Sequence, residues 1–275
     1  MYKLGVWPLP RFELVAIDLD GTLLDDDLKI SPRTQEVIAR VRQQGVHVTI
    51  ATGRMFASAQ PYALQLGLDI PLITYQGALV KTSQGGQVLY HRFVPLELAR
   101  QVIQTVNEYG YPINVYLDDR LFVEKITPEG EMYARRSNVP LHPAGDLLEF
   151  LQEDPIKVLV IQEEDKLQAL EEKCRKIFGG KLYITRSQPM YLEFMHPEAT
   201  KKRGLEAVAS HLGIGPEKIM VIGDSYNDLE MFRFAGFSIA MGNARPEIKE
   251  RADYVTKSNR EEGVAEALEK FLLDG

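Results

Sequence analysis

Four aspartates follow two short apolar segments, two near the start of the chain and two near its end. They are Asp18, Asp20, Asp224 and Asp228. Turns alone explain single aspartates at such places, because Asp favours turns. Four carboxylates at one rim, however, repel each other strongly unless a cation lies among them. Oxygen ligands without cysteine or paired histidines favour a hard cation, so Mg²⁺ is the expected cofactor.

The apolar segments before these aspartates belong to a repeating strand and helix pattern. Leu14–Ile17 is predicted to be a buried strand, and Ser31-Pro32 is typical of a helix start. A second strand ends at Thr52-Gly53, and the same pattern resumes after Lys202. Strands joined by helices of this length require right-handed crossovers. We therefore predict an α/β fold with a Rossmann-like, doubly wound parallel sheet, in which ligands bind at the carboxyl ends of the strands.

The pattern changes after Gly85-Gly86. Strands are predicted over Val88–Phe93, Ile113–Leu117 and Leu121–Glu124, and the last two are joined by a polar turn. This arrangement is typical of an antiparallel α+β unit. We predict that residues 1–84 and 196–275 form one core domain and that residues 85–195 form an inserted cap domain.

Composition excludes several classes of protein. The chain has 275 residues, a net charge of -7, 45% hydrophobic residues and 26% charged residues, as expected for a folded domain with a core. The acidic balance argues against nucleic acid and membrane partners. Cys174 is the single cysteine, Met1–Pro10 lacks the features of a signal peptide, and no apolar run reaches the roughly 20 residues of a membrane span. We expect a cytoplasmic protein, either a monomer or a weak homo-oligomer.

Five segments together resemble the haloacid dehalogenase-like phosphohydrolases, in the form of their Cof-like subfamily. They are Asp18-Leu19-Asp20-Gly21-Thr22-Leu23-Leu24, Thr52-Gly53-Arg54, Lys201 ahead of Leu212-Gly213-Ile214, Gly223-Asp224-Ser225-Tyr226-Asn227-Asp228, and Met241-Gly242-Asn243-Ala244. Their order, their spacing and the position of the insert all agree from Phe12 onward. Two positions depart from the subfamily pattern: Gln76 replaces an asparagine, and Lys202 replaces a glycine. The spacing favours Lys201 over Lys202 as the lysine that reaches phosphate.

The resemblance implies a Mg²⁺-dependent phosphatase with an aspartyl-phosphate intermediate. Asp18 is the expected nucleophile and Asp20 the expected acid and base. The implied metal ligands are Asp18, the backbone carbonyl of Asp20, and Asp224. The implied phosphate contacts are Leu19, Thr52, Gly53, Lys201 and Asn227. Ser225 is expected beside the metal, Asp228 is expected to orient Lys201 or a metal-bound water, and Arg54 is expected to cap a helix.

The same resemblance implies a small-molecule phosphate ester as the substrate, such as a sugar phosphate or a phosphorylated cofactor, with the insert reading the leaving group. Other interpretations stay open. A phosphomutase-type phosphotransferase would share the aspartyl-phosphate step, and a receiver domain or other binding protein would use the same residues without turnover. A glycosyltransferase with an Asp-x-Asp metal motif leaves Thr52, Lys201 and Asp224 without a role.

Overall fold

The structure is a computed structural model that describes residues 12–84 and 86–273. Met1–Pro10, where we expected no signal peptide, and Gly85 at the predicted domain boundary lie outside the described residues. The strands are β1 (Leu14–Ile17), β2 (His47–Ile50), β3 (Pro71–Thr74), β4 (Leu79–Thr82), β5 (Val88–His91), β6 (Ile113–Leu117), β7 (Arg120–Val123), β8 (Leu141–Pro143), β9 (Lys157–Ile161), β10 (Tyr183–Gln188), β11 (Tyr191–Met195), β12 (Ile219–Gly223), β13 (Phe237–Ala240) and β14 (Tyr254–Val255). The helices are α1 (Pro32–Gln43), α2 (Phe56–Gln65), α3 (Leu96–Asn107), α4 (Pro128–Ser137), α5 (Leu147–Phe150), α6 (Glu164–Phe178), α7 (Lys201–Leu212), α8 (Leu229–Phe234), α9 (Pro246–Lys249) and α10 (Gly263–Leu268), and a π-helical turn, Glu269–Leu273, follows α10.

The core sheet has five strands in the order β14-β13-β12-β1-β2, and every pair is parallel. The chain leaves β1 toward β2 on one side and returns at β12 on the other side. This reversal of strand order creates the crevice in which doubly wound sheets bind their ligands. The predicted fold class is confirmed.

Helices cover both faces of this sheet because side chains alternate along each strand. Val15 and Ile17 of β1 share one apolar cluster with α1 and α10, whereas Leu14 and Ala16 share another with α7 and α8. The start of α1 follows its sequence signals: the Ser31 hydroxyl accepts a hydrogen bond from Thr34 N–H, and proline occupies the first turn.

A second, smaller sheet joins β3, β4 and β5 in an antiparallel arrangement. β3 is connected to the preceding core strand by an isolated bridge between Ala51 and Ile73 and by a hydrogen bond of 2.7 Å from the Thr49 hydroxyl to Pro71 O. The strand predicted over Val88–Phe93 was assigned to the insert, but the structure pairs β5 with β4. We did not predict β4 from the sequence, and β4 supplies the edge to which β5 binds. The domain boundary at residue 85 stays a prediction.

The third sheet is built from residues 113–195 in the order β10-β11-β9-β6-β7-β8 and is mainly antiparallel. Its outer face packs against α3 and α6 in a separate apolar cluster. Its inner face shares a cluster with the core, to which Leu159 and Tyr191 contribute. Three helices of residues 86–195, α3, α4 and α5, were not predicted from the sequence.

Polar contacts tie the insert to the core. The Tyr75 hydroxyl donates to Asp119 Oδ1 at 2.8 Å, and the Ser58 hydroxyl donates to the carbonyl of Ser137 at 2.6 Å. The Tyr75 ring also meets the ring of Tyr116 edge to face. No helix within residues 12–84 or 86–273 is both long and apolar enough to cross a bilayer.

Candidate active site

Three neighbouring strands of the core sheet deliver polar residues to one edge. Asp18 follows β1, Asp224 follows β12, and Thr52 lies two residues beyond the end of β2. Backbone pairing continues past the strands, because Asp18 N–H donates to Ile222 O and Thr52 N–H donates to Ile73 O. The sheet therefore fixes the backbone of these residues, and their side chains project from a rigid support.

Lys201 is the central cation of the site. Its ammonium donates to Asp18 Oδ1 at 2.5 Å and to Asp228 Oδ1 at 2.7 Å, and its side chain is fully buried. Burial alone lowers the pKa of Lys201, but the charges of Asp18 and Asp228 outweigh it and raise that pKa above its ordinary value. Lys202 is partly exposed and pairs with Glu206 instead. The structure thus brings Lys201, and not Lys202, to the aspartates.

A glycine fixes the position of this lysine. Gly77 has a φ of +97°, and a Cβ there would lie 2.0 Å from the carbonyl oxygen of Thr200. Thr200 is the N-cap of α7, and its hydroxyl accepts from Arg203 N–H. Only a residue without a side chain allows the turn before β4 to approach the start of α7 this closely.

Asp228 organises the loop after β12. Its Oδ2 accepts hydrogen bonds from the backbone N–H groups of Asp224 and Ser225, both at 3.0 Å, while its Oδ1 binds Lys201. Asp228 is fully buried, so these partners compensate its charge. Ser225 lines the cavity above.

Asp18, Asp224 and Asp228 form the carboxylate group that could hold a metal among the described residues, with one oxygen from each within 4.8 Å of the others. Burial and the charges of Asp228 and Asp224 raise the pKa of Asp18, although Lys201 opposes them. Burial, followed by the charge of Asp228, raises the pKa of Asp224 to about 6. A second cation would stabilise the ionised form of these buried, mutually repelling carboxylates. Their oxygens suit a hard divalent ion. The residues present therefore fit Mg²⁺.

Arg54 has a different place from the one predicted. Its Nε donates to Asp20 Oδ2 at 2.7 Å and its Nη2 to Asp20 Oδ1 at 2.5 Å. The expectation that Arg54 caps a helix is wrong, because Nε and Nη2 bind the carboxylate expected to act as acid and base, and the N-cap of α2 is Met55, which has no side-chain capping bond. The Thr-Gly-Arg segment placed Arg54 near the site, but nothing in the sequence indicated that its partner is Asp20.

The other predicted phosphate contacts gather at the same rim. Thr52, Gly53 and Asn227 line the cavity, and Thr52 Oγ1 accepts from Arg54 N–H. Asn227 Nδ2 donates to Gln76 Oε1 at 2.9 Å, so the residue that departs from the subfamily pattern contacts the site directly. A Cβ on Gly53 would lie 2.4 Å from Gln76 Nε2, so a side chain at this position would displace the Gln76 amide. Leu19 lies between the two aspartates with its side chain in the core.

The insert forms one wall of the cavity, which is half open. The space measures about 350 Å³ and is lined by both parts of the chain. The insert contributes Tyr133, Arg136, Ser137, Lys157, Gln188, Tyr191 and Glu193. The sequence gave no signal for the charged residues of this wall, since they lie on elements with no motif of their own.

A sheet that gathers carboxylates and one buried ammonium at its switch point, beneath an inserted domain, is typical of enzymes that transfer phosphoryl groups. The family model for haloacid dehalogenase-like hydrolases matches residues 15–268, and the chain belongs to this family, within which it is a Cof-like phosphatase.

Similar proteins agree with this assignment. A 5-amino-6-(5-phospho-D-ribitylamino)uracil phosphatase of Bacillus subtilis is 33% identical over 264 residues, covering 94% of this chain and 97% of its own. A crystal structure of a haloacid dehalogenase-like hydrolase from Bacteroides thetaiotaomicron superposes with a TM-score of 0.88 at 29% identity, covering 94% of this chain and 99% of that one. A subclass IIB sugar phosphatase superposes with a TM-score of 0.80 at 25% identity, covering 94% and 98%. The chain is a phosphoric monoester hydrolase.

Proposed function

We propose that this enzyme hydrolyses small phosphorylated metabolites in a Mg²⁺-dependent reaction that passes through an aspartyl-phosphate on Asp18. The observation that carries the proposal is the Lys201 ammonium, buried and bonded to both Asp18 and Asp228. A cation held there stabilises negative charge that develops beside the nucleophile. Asp18 also lines the cavity into which a substrate would enter.

In the first step, an oxygen of Asp18 attacks phosphorus and the bond from phosphorus to the ester oxygen breaks. Asp20 gives its proton to the departing alkoxide. In the second step, water attacks the same phosphorus, Asp20 takes a proton from that water, and the bond between phosphorus and Asp18 breaks. Phosphate leaves, and Asp18 and Asp20 return to their starting states.

Backbone and side-chain donors hold the phosphoryl oxygens during both steps. The proposed contacts are Thr52, Gly53, the N–H of Leu19, Lys201 and Asn227. Arg54 holds Asp20 in one orientation, and Asp228 positions Lys201. Asp18, the Asp20 carbonyl and Asp224 would hold Mg²⁺, with Ser225 close by, and the ion when bound would neutralise part of the phosphoryl charge.

Residues 85–195 are proposed to act as the cap over the core formed by residues 1–84 and 196–275. The similarity to a phosphatase of a phosphoribitylamino compound and to a sugar phosphatase supports small phosphorylated metabolites as the substrate class. A half-open cavity of about 350 Å³ suits molecules of that size.

The test is release of inorganic phosphate from sugar phosphates, nucleotides, phosphorylated cofactors and p-nitrophenyl phosphate, with Mg²⁺ or EDTA, by wild type and Asp18→Asn. Asn replaces the carboxylate at equal volume, so circular dichroism and thermal melting should show an intact fold. We expect turnover that needs Mg²⁺ and disappears in Asp18→Asn. Turnover that survives in Asp18→Asn refutes the aspartyl-phosphate route, and phosphate transfer that requires a bisphosphate indicates a mutase.

A further inference from the structure

The insert carries a buried ion pair on the wall of the active-site cavity. Lys157 Nζ lies 3.0 Å from Glu193 Oε1, and the two side chains are 2% and 4% exposed. Both residues line the cavity that also contains Asp18 and Asp20. The proposed mechanism of phosphate hydrolysis uses neither residue of this pair.

The pair is held by the inner face of the insert's sheet. Lys157 begins β9 opposite Tyr116 of β6, and Glu193 lies in β11 opposite Leu159 of β9. The ammonium also sits 4.6 Å from the centre of the Tyr116 ring. The Tyr116 hydroxyl donates to Tyr133, which lines the same cavity, so a hydrogen bond joins the surroundings of the pair to the cavity wall.

Stability does not account for such a pair. Removing two charges from water costs free energy that their attraction seldom exceeds, and apolar residues of similar volume often serve a fold equally well. The Lys157 ammonium also has three donors. Among the described residues, Glu193 is its only hydrogen-bond acceptor. Because Lys157 lines the cavity, we expect a molecule bound there to accept a further hydrogen bond from the ammonium.

We propose that Lys157 and Glu193 recognise a hydroxyl group of the leaving group, which makes polyhydroxylated phosphate esters the preferred substrates. The hydroxyl would accept from the Lys157 ammonium and donate to the Glu193 carboxylate. A closely paired cation and anion are together neutral, so this part of the wall favours a neutral polyol over a second anionic group. The inference rests on the proposed phosphatase function.

The test compares polyol phosphates of three to six carbons with n-alkyl phosphates of the same length, and with p-nitrophenyl phosphate as a substrate that has no alcohol hydroxyl. Wild type should favour the best polyol phosphate over its alkyl partner in kcat/KM by about 100-fold, because hydrogen bonds to charged groups that lose their partner are costly. In Lys157→Met/Glu193→Leu this ratio should fall at least tenfold, with circular dichroism showing that the variant is folded.

The insert offers a matched control. Lys173 and Glu108 form a similar pair at 2.6 Å, with the ammonium 5.4 Å from the Tyr109 ring, but they are exposed and lie outside the cavity. Lys173→Met/Glu108→Leu should leave the ratio unchanged. Glu193→Gln keeps the volume and an acceptor for Lys157, so its ratio of kcat/KM for polyol and alkyl phosphates should be intermediate. This variant tests the proposal if the double variant melts at a lower temperature.

The outcomes separate the two proposals. If no substrate, including p-nitrophenyl phosphate, releases phosphate, then the proposed function fails. If phosphate is released but wild type shows no preference for polyols, or the folded double variant and Glu193→Gln both keep that preference, then the assignment of Lys157 and Glu193 is overturned.

Discussion

Arg54 and Asp20 form a two-point ion pair at the mouth of the catalytic crevice, with nitrogen-to-oxygen distances of 2.7 and 2.5 Å. The planar guanidinium matches the carboxylate and fixes its orientation, which a lysine could not do at both oxygens. Arg54 is therefore a positioning residue for the proposed acid and base.

Arg54→Ala should lower kcat by about 10- to 100-fold for alkyl phosphates, since general acid catalysis contributes about 10²–10⁴-fold and depends on geometry. The loss should be smaller for p-nitrophenyl phosphate, whose leaving group needs little protonation. Steady-state kinetics with both substrates measure this difference. Arg33→Ala removes an exposed arginine that also binds carboxylates and is the control. Equal losses with both leaving groups would contradict the positioning role.

Lys201→Met should abolish activity and destabilise the fold. The change leaves Asp18 and Asp228 buried without their shared cation, and breaking a buried ion pair costs about 3–5 kcal/mol. Urea unfolding and phosphate release measure the two effects. Lys202→Met is the matched control, because Lys202 is partly exposed and pairs only with Glu206. If Lys202→Met were the more damaging change, the assignment of Lys201 would be wrong.

Mg²⁺ binding should weaken as the pH falls through about 6, because Asp224 has a pKa raised to about 6 by burial and must lose its proton to bind the ion. Without metal, the raised pKa means that the folded state holds this proton more tightly than the unfolded chain. Asp224 therefore destabilises the fold as the pH rises from about 4 to 6. The increase in melting temperature caused by Mg²⁺ should thus be larger at pH 7.5 than at pH 5. An increase independent of pH would refute this coupling.

Gly77→Ala should destabilise the protein by about 2–4 kcal/mol, as a methyl group there combines a disfavoured φ with overpacking. The new Cβ would lie 2.0 Å from Thr200 O and would displace the start of α7, so kcat should fall as well. Gly110→Ala provides the comparison, since Gly110 has a φ of +67° but no atom within 4 Å of the new Cβ. Urea unfolding measures the loss of stability in both variants, and the loss should be larger for Gly77→Ala. Equal losses would mean that only the backbone conformation matters and would contradict the role of the contact with Thr200.

The sequence by itself determined the core of this protein. Apolar strands ending in Asp18, Thr52 and Asp224 predicted the parallel sheet and the edge at which polar residues gather, and the structure has that sheet. These features are local, because strand periodicity and turn residues are written in consecutive positions. The family resemblance likewise rests on short segments whose spacing can be read directly.

Only the tertiary structure decided which side chains meet. The partner of Arg54 lies 34 residues away, and that of Lys157 lies 36 residues away. The pairing of β5 with β4 and the placement of α4 above the crevice also depend on contacts between distant segments. No local pattern encodes such contacts, since the free energy of a buried ion pair depends on the surroundings that the whole fold creates.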